Sequence, residues 1–164
     1  MPVLKHGAFT LYESAAICRY IDLSFPEDPA LVPKEPMAAA QMAQAINIID
    51  NYGYRPMIRQ IFAHRVFRPI EGLEASEDKI ASGIVAAAPV LKALEPLCGQ
   101  GFARAGGQKT LADCHLAPMF GYFSQAEEGA EMVASHPMLA QWYAQLQDWK
   151  NFRDTEPQIG AAGD

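Results

Sequence analysis

Cysteine is scarce in this chain. Three are spread over 164 residues, at Cys18, Cys98 and Cys114, with no CxxC pair among them. An odd count at wide spacing excludes a disulfide framework and a cysteine-rich zinc site, and each thiol reads as a small buried side chain. Cys114 and His115 are neighbours in sequence, and adjacent helical residues point about 100° apart, so they make a poor metal pair. Basic charge is sparse too. Thirteen Lys and Arg face nineteen Asp and Glu, for a net charge of −6, and no Lys/Arg run supplies the basic surface that nucleic acid or anionic lipid demands. The densest basic group, Arg55, Arg59, His64, Arg65 and Arg68, reads as one solvated helical face. No uninterrupted run of ~18 apolar residues occurs, so no membrane span is expected. The opening MPVLKHGAFTLYES lacks the apolar stretch and small-residue cleavage site of a secretory signal. A reducing, cytoplasmic setting without a bound metal is the expectation.

What is present is an ordinary globular balance, half apolar and 20% charged, which is enough for a real core. The first dozen residues alternate as a hairpin, with Val3-Leu4 and Phe9 to Tyr12 as strands around a Lys5-His6-Gly7-Ala8 turn. A helix starts at Glu13-Ser14, with Ser14 as its expected N-cap, and Phe25-Pro26 ends it. Pro26, Pro29, Pro33 and Pro36 make residues 26–36 a stiff linker. Helical periodicity dominates from there on. One long helix carries Met42, Ile46, Ile49, Met57, Ile58, Ile61 and Phe62, with a bend expected at Gly53 and Pro56. A second carries Ile80, Ile84, Leu91, Leu94 and Cys98. Gly99, Gly101, Gly106 and Gly107 mark a loop that fails the dinucleotide fingerprint spacing. Thr110 and Asp113 form a capping box that opens a helix apolar on most sides, and so central. Pro137 starts another, with Leu139, Trp142, Leu146 and Trp149 on its inner stripe. The tail from Phe152 has no strong pattern. The fold class is mainly α: a helical bundle preceded by a hairpin and one helix.

That order, with several local strings, resembles the glutathione S-transferase family. Pro2-Val3-Leu4 resembles the segment with the family's cis-proline and third strand. Glu13-Ser14-Ala15-Ala16-Ile17 resembles its E-S-x-A-I signature, Leu31-Val32-Pro33 its interdomain linker, and Thr110-Leu111-Ala112-Asp113 its capping motif. Pro137, Trp142, Phe152 and Glu156-Pro157 sit where the family C-terminus has them. The resemblance covers essentially the whole chain and implies three parts: a thioredoxin-like remnant at 1–25, a linker at 26–36, and an all-α C-terminal domain at 37–164. The family's first strand, first helix, second strand and second helix are not among these residues, so the sequence reads as an incomplete form.

By the same resemblance, Glu13 and Ser14 hold the γ-glutamyl end of glutathione, and Met1, Pro2 and Val3 pair with its cysteinyl unit. Glutathione is the co-substrate. Tyr52, Tyr54, Met57, Met119 and Tyr122 match the family's wall for a small hydrophobic electrophile. No residue is assigned as catalytic, because the family's thiol-activating Tyr, Ser or Cys lies in the part not matched; Tyr12, Tyr52 and Tyr54 have no spacing that supports them as stand-ins. His6, His64, His115 and His136 are scattered and read as structural or exposed. The function implied is conjugation of the glutathione thiol to a hydrophobic electrophile by the complete form. The alternative is a non-catalytic binding or dimerisation module. A homodimer is expected in either case, since an open strand edge invites another chain.

Overall fold

In the computed structural model, which describes residues 2–26, 30–98 and 108–155, the chain opens with an antiparallel hairpin of β1 (Val3–His6) and β2 (Phe9–Tyr12). Val3 pairs with Tyr12 and His6 with Phe9. The turn is therefore only Gly7-Ala8, and Lys5 and His6 belong to the strand instead of the turn. Gly7 takes φ +61°, the conformation that the first central residue of a tight hairpin turn requires and that glycine adopts without strain. Met1 and the glycines at 99, 101, 106 and 107 lie outside the described residues, as do Pro29, Glu156 and Pro157.

Helix α1 (Ser14–Ser24) leans on the hairpin through rings. Nδ1 of His6 is 2.7 Å from the Tyr20 hydroxyl, and the Phe9 and Tyr20 rings sit 5.2 Å apart. The helix ends at Phe25, ahead of Pro26, as the sequence requires. Asp22 then reaches forward. Its two carboxylate oxygens accept from the amides of Leu31 and Val32 at 2.8 and 3.1 Å, and the Leu111 amide donates to the Leu31 carbonyl at 3.2 Å. Residues 31 and 32 are thus tied to α1 on one side and to the bundle on the other.

Helix α2 (Pro36–Ile48) has proline in its first turn and Glu35 as its cap, accepting from the amides of Met37 and Ala38. It runs on into a π-helical segment, Ile49–Phe67, and a last turn, α3 (Arg68–Ile70). The expected bend at Gly53 and Pro56 is met by a widening of the helix. Proline lacks an N–H and crowds the carbonyl one turn back, and a turn closed by i→i+5 bonds makes room for it.

Helix α4 (Glu77–Leu97) packs along this segment. The two come so close at Gly83 that a Cβ there would stand 2.8 Å from Ile61 Cγ1 and 3.1 Å from the Pro56 carbonyl. By length and composition alone α4 could cross a membrane, although its apolar run is interrupted by Lys92 and Glu95. Its inner face, Ile80, Ala87, Val90, Leu91 and Leu94, is buried in the bundle, so it serves as a core helix here.

Helix α5 (Leu111–Phe123) is the central one, with Leu116, Phe120 and Phe123 sealed from solvent. Helices α6 (Glu127–Ala134), α7 (Pro137–Gln147) and α8 (Lys150–Asp154) close the fold. Two of them, α6 and α8, are too short to show a period in the sequence. Helix α7 starts at Pro137 as expected, and its cap comes from a distant element: Glu95 of α4 accepts from the amides of Met138 and Leu139 at 2.8 and 3.0 Å. Arg65 of the basic group bridges Glu77 and Glu128 at 2.9 and 2.6 Å. It thereby joins the π segment to the starts of α4 and α6.

The capping box at Thr110 and Asp113 is present and more heavily used than its sequence signature implies. Asp113 is fully buried. It accepts from the Thr110 amide at 2.7 Å, from the Thr110 hydroxyl at 3.1 Å and from Nε1 of Trp142 at 2.8 Å. Burial raises its carboxyl pKa, and the bonds from Trp142 and Thr110 oppose that rise. Replacement by Ala removes a cap and strands two buried N–H donors. Asp113→Ala is expected to lower stability by about 3–4 kcal/mol, measured as the shift in a urea unfolding midpoint at neutral pH; a loss under about 1 kcal/mol would contradict this account.

Candidate functional site

Strand β2 passes directly into α1, leaving a single residue to make the turn. That residue is Glu13, at φ 69° and ψ 124°. It is the one non-glycine at positive φ among the described residues. Such a conformation costs of order 1–3 kcal/mol and persists only where its surroundings enforce it. Ser14 is therefore not the N-cap but the first helical residue. The first helical bond runs from the Ile17 amide to the Glu13 carbonyl at 2.9 Å, and no side chain caps the turn. Glu13 and Ser14 are both exposed, so the positive end of α1 faces outward, where it favours an anion.

The hairpin register brings a second piece to this point. Val3 lies opposite Tyr12, which places Pro2 and Val3 beside Glu13 and Ser14. Four of the five residues expected to touch glutathione thus converge at one end of the hairpin; the fifth, Met1, lies outside the described residues.

The five residues expected to wall an electrophile do not converge. Met57 is wholly buried and belongs to the core, as its place on the apolar stripe requires; the resemblance alone made it a wall residue. Tyr52 and Tyr54 are exposed on the π segment. Tyr52 lines an open groove between that segment and α4, together with Arg55 and Val90. Met119 and Tyr122 are half-buried on α5, where Tyr122 packs on Phe62 at 5.0 Å. Tyr122 also lines a separate apolar cavity of about 240 Å³ with Cys114, Pro118, Gly121, Trp149 and Phe152. The sequence hid this cavity because its outer wall includes α8, a helix of five residues.

Beside the cavity, α5 carries His115, 9% exposed. Its Nδ1 lies 3.4 Å from Oδ2 of Asp50 on the π segment. Asp50 first, and the Cys18 thiol next, raise its pKa to about 9 against the opposing effect of burial. The ring is thus an imidazolium at neutral pH, and it is one of three groups brought together from α1, the π segment and α5. Nε2 is sealed from solvent with no partner at hydrogen-bond geometry. Burial pushes the Cys114 thiol up to about 11 and Cys98 to about 12, so both stay protonated. His64 has its pKa lowered, by burial first and then by Arg68 and Lys79, and it accepts from the Ser76 amide at 3.2 Å. Of the four histidines read as structural, His115 is the one placed in a charged cluster. Among the described residues, no three His, Cys, Asp or Glu side chains are arranged to hold a metal ion.

No family model matches the chain. Glutathione S-transferase F14 of Arabidopsis thaliana is 26% identical over 149 residues, covering 89% of this chain and 58% of that protein; the chain thus spans under two thirds of that relative's length. Among solved structures, glutathione S-transferase III in its apo form superposes with a TM-score of 0.82 at 25% identity, over 100% of this chain and 75% of that one. Glutathione S-transferase I bound with lactoylglutathione superposes with a TM-score of 0.77 at 20% identity, over 94% of this chain and 72% of that one, a likeness of fold.

The raised His115 pKa carries a pH signature. A histidine whose folded pKa lies above its ordinary 6.5 contributes stability that is fully present below about pH 6.5 and fades as the pH rises through about 9. The gap in urea midpoint between the native chain and His115→Gln is expected to be widest near pH 6 and to close by about pH 10. A gap independent of pH over that range would show that folding leaves the ring's pKa unshifted.

Proposed function

On the premise that this chain belongs to the glutathione S-transferase family, we propose that it binds glutathione at the start of α1 and, in its complete form, conjugates the thiol to a hydrophobic electrophile. The observation that carries this reading is the backbone at Glu13. A non-glycine at φ 69° is an expense with no return in packing, since Glu13 and Ser14 are exposed. It turns the first amides of α1 outward, next to the end of β1. In this reading the α-carboxylate of the γ-glutamyl end sits on those amides and on the Ser14 hydroxyl, and Met1, Pro2 and Val3 face the cysteinyl unit. The division into a thioredoxin-like remnant at 1–25, a linker at 26–36 and a helical domain at 37–164 belongs to the same proposal.

For the electrophile, the cavity at Tyr122 is a better seat than the exposed pair Tyr52 and Tyr54. It is apolar, partly enclosed and built on the central helix. Met119 and Tyr122 stay in the proposal, and Met57 leaves it. The thiols of Cys98 and Cys114 stay protonated at neutral pH; in this reading the nucleophile is the thiol of glutathione. A reducing, cytoplasmic setting goes with this reading. The non-catalytic alternative has no observation in its favour that conjugation lacks.

Calorimetric titration with reduced glutathione tests the anchor. Saturable binding is expected, with Ser14→Ala weakening it by about tenfold, the loss of one charge-assisted hydrogen bond. Binding unaffected by Ser14→Ala, or no binding at millimolar glutathione, would remove the anchor.

Self-association belongs to the same reading. Among the described residues strand β1 pairs only with β2, and Tyr52 and Val85 stand 67% and 76% exposed on neighbouring helices. We expect a homodimer in sedimentation equilibrium at micromolar concentration. A single monomeric species at every concentration would refute it.

A further inference from the structure

The cavity at Tyr122 has one wall residue that helix packing does not explain. Gly121 sits inside α5, the central helix, and is not among the glycines at positive φ. Glycine is the poorest helix former after proline, so a glycine inside a helix calls for a reason. Among the described residues the other three helical glycines have one. A Cβ at Gly53, Gly83 or Gly129 would stand under 3.0 Å from a neighbouring atom, closer than packed carbons come. At Gly121 a Cβ would meet only Cζ of Phe152, at 3.5 Å, which is ordinary van der Waals contact. Neither the backbone nor the neighbouring helices therefore require a glycine at this position. What the missing side chain leaves open is the cavity itself, since Gly121 lines it with Pro118 and Tyr122.

The rings of Tyr122, Trp149 and Phe152 stand around that space, and no Asp, Glu, Lys or Arg is among the described residues that line it. The Cys114 thiol on the same wall stays protonated at neutral pH. An ion entering the cavity would shed its water and meet no opposite charge. A cavity of about 150 Å³ holds one benzene ring. This one measures about 240 Å³, room for about two fused rings. We infer, on the reading of this cavity as the electrophile's seat, that it selects uncharged aromatic electrophiles of one or two fused rings, and that Gly121 is the specificity-determining residue that leaves the second ring its place. One methyl group more or less in an apolar pocket changes affinity by roughly fourfold or more. A side chain at position 121 therefore exchanges a two-ring ligand for a one-ring ligand.

The probes are β-naphthol, phenol and β-naphthalenesulfonate, unreactive stand-ins for such electrophiles. Each is bound to the full chain without glutathione and followed by equilibrium dialysis at neutral pH. The native chain is expected to hold β-naphthol about tenfold more tightly than phenol, from the larger apolar area buried, and about tenfold more tightly than the sulfonate. Gly121→Ala lowers the naphthol-to-phenol ratio by about fourfold, and Gly121→Leu removes the preference. Gly121→Ala also raises the urea unfolding midpoint, because a methyl group there helps the helix and meets no clash. A ratio unchanged in Gly121→Ala overturns the inference. So does equal binding of naphthol and sulfonate, no naphthol binding at millimolar concentration, or a lowered midpoint in Gly121→Ala, which would show that packing needs the glycine. If Gly121→Leu loses its helical circular dichroism, Gly121→Ala alone decides. Glutathione is titrated separately into the native chain and Gly121→Ala, with equal affinity expected. Absence of glutathione binding removes the anchor at α1 but, with the probe ratios as expected, leaves the preference for uncharged two-ring aromatics standing.

Discussion

A single carboxylate holds the bundle's centre. Asp113 takes an amide and a hydroxyl from Thr110 and an indole N–H from Trp142, and all of it happens out of solvent. The bonds to Thr110 fix where α5 begins; the bond to Trp142 fixes how α7 lies across it. The Phe120 and Trp142 rings, 5.0 Å apart and nearly perpendicular, pack in the arrangement that aromatic quadrupoles prefer. Because the Leu111 amide reaches back to Leu31, and Asp22 holds Leu31 from the other side, the position of α1 follows from the position of α5. The outward-facing turn at Glu13 is thus set, through a short chain of hydrogen bonds that alternates carboxylate and backbone, by a buried acid far along the sequence.

The sequence was legible where a rule is local. Periodicity gives the inner faces of α4 and α7, Thr110 and Asp113 announce a helix start, Gly7 announces a turn, and Pro137 falls in a first turn. It misleads where a local rule competes with geometry. Ser14 is a good capping residue, yet the strand before it ends one residue too soon, and Glu13 is left in the capping place with its backbone strained. Met57 is assigned to the electrophile wall by resemblance, yet it faces the core with Ile49 and Ile61, where its place on the apolar stripe puts it. Tyr52 and Tyr54, two residues apart, share no helical face, so they and Met57 do not form one wall.

The site was the harder part, for a different reason. The cluster of Cys18, Asp50 and His115 draws one residue from each of three elements, separated by tens of positions, and no spacing rule joins them. In the sequence, His115 is one histidine among four. Only the packing of α1 and the π segment on α5 reveals that its charge is held. The cavity beside it is likewise assembled late, by a short helix with no visible period.

The seat of α6 has a consequence for how this fold tolerates change. At Gly129 a side-chain carbon would run into the Phe123 carbonyl, so α6 is docked on α5 by main chain against main chain. The wholly buried Phe123 ring lies against the same point, so the close approach and the packing around it fit together. The one hydrogen that glycine offers in place of a methyl group is therefore the gauge of the whole corner: any side chain there would force the two helices apart.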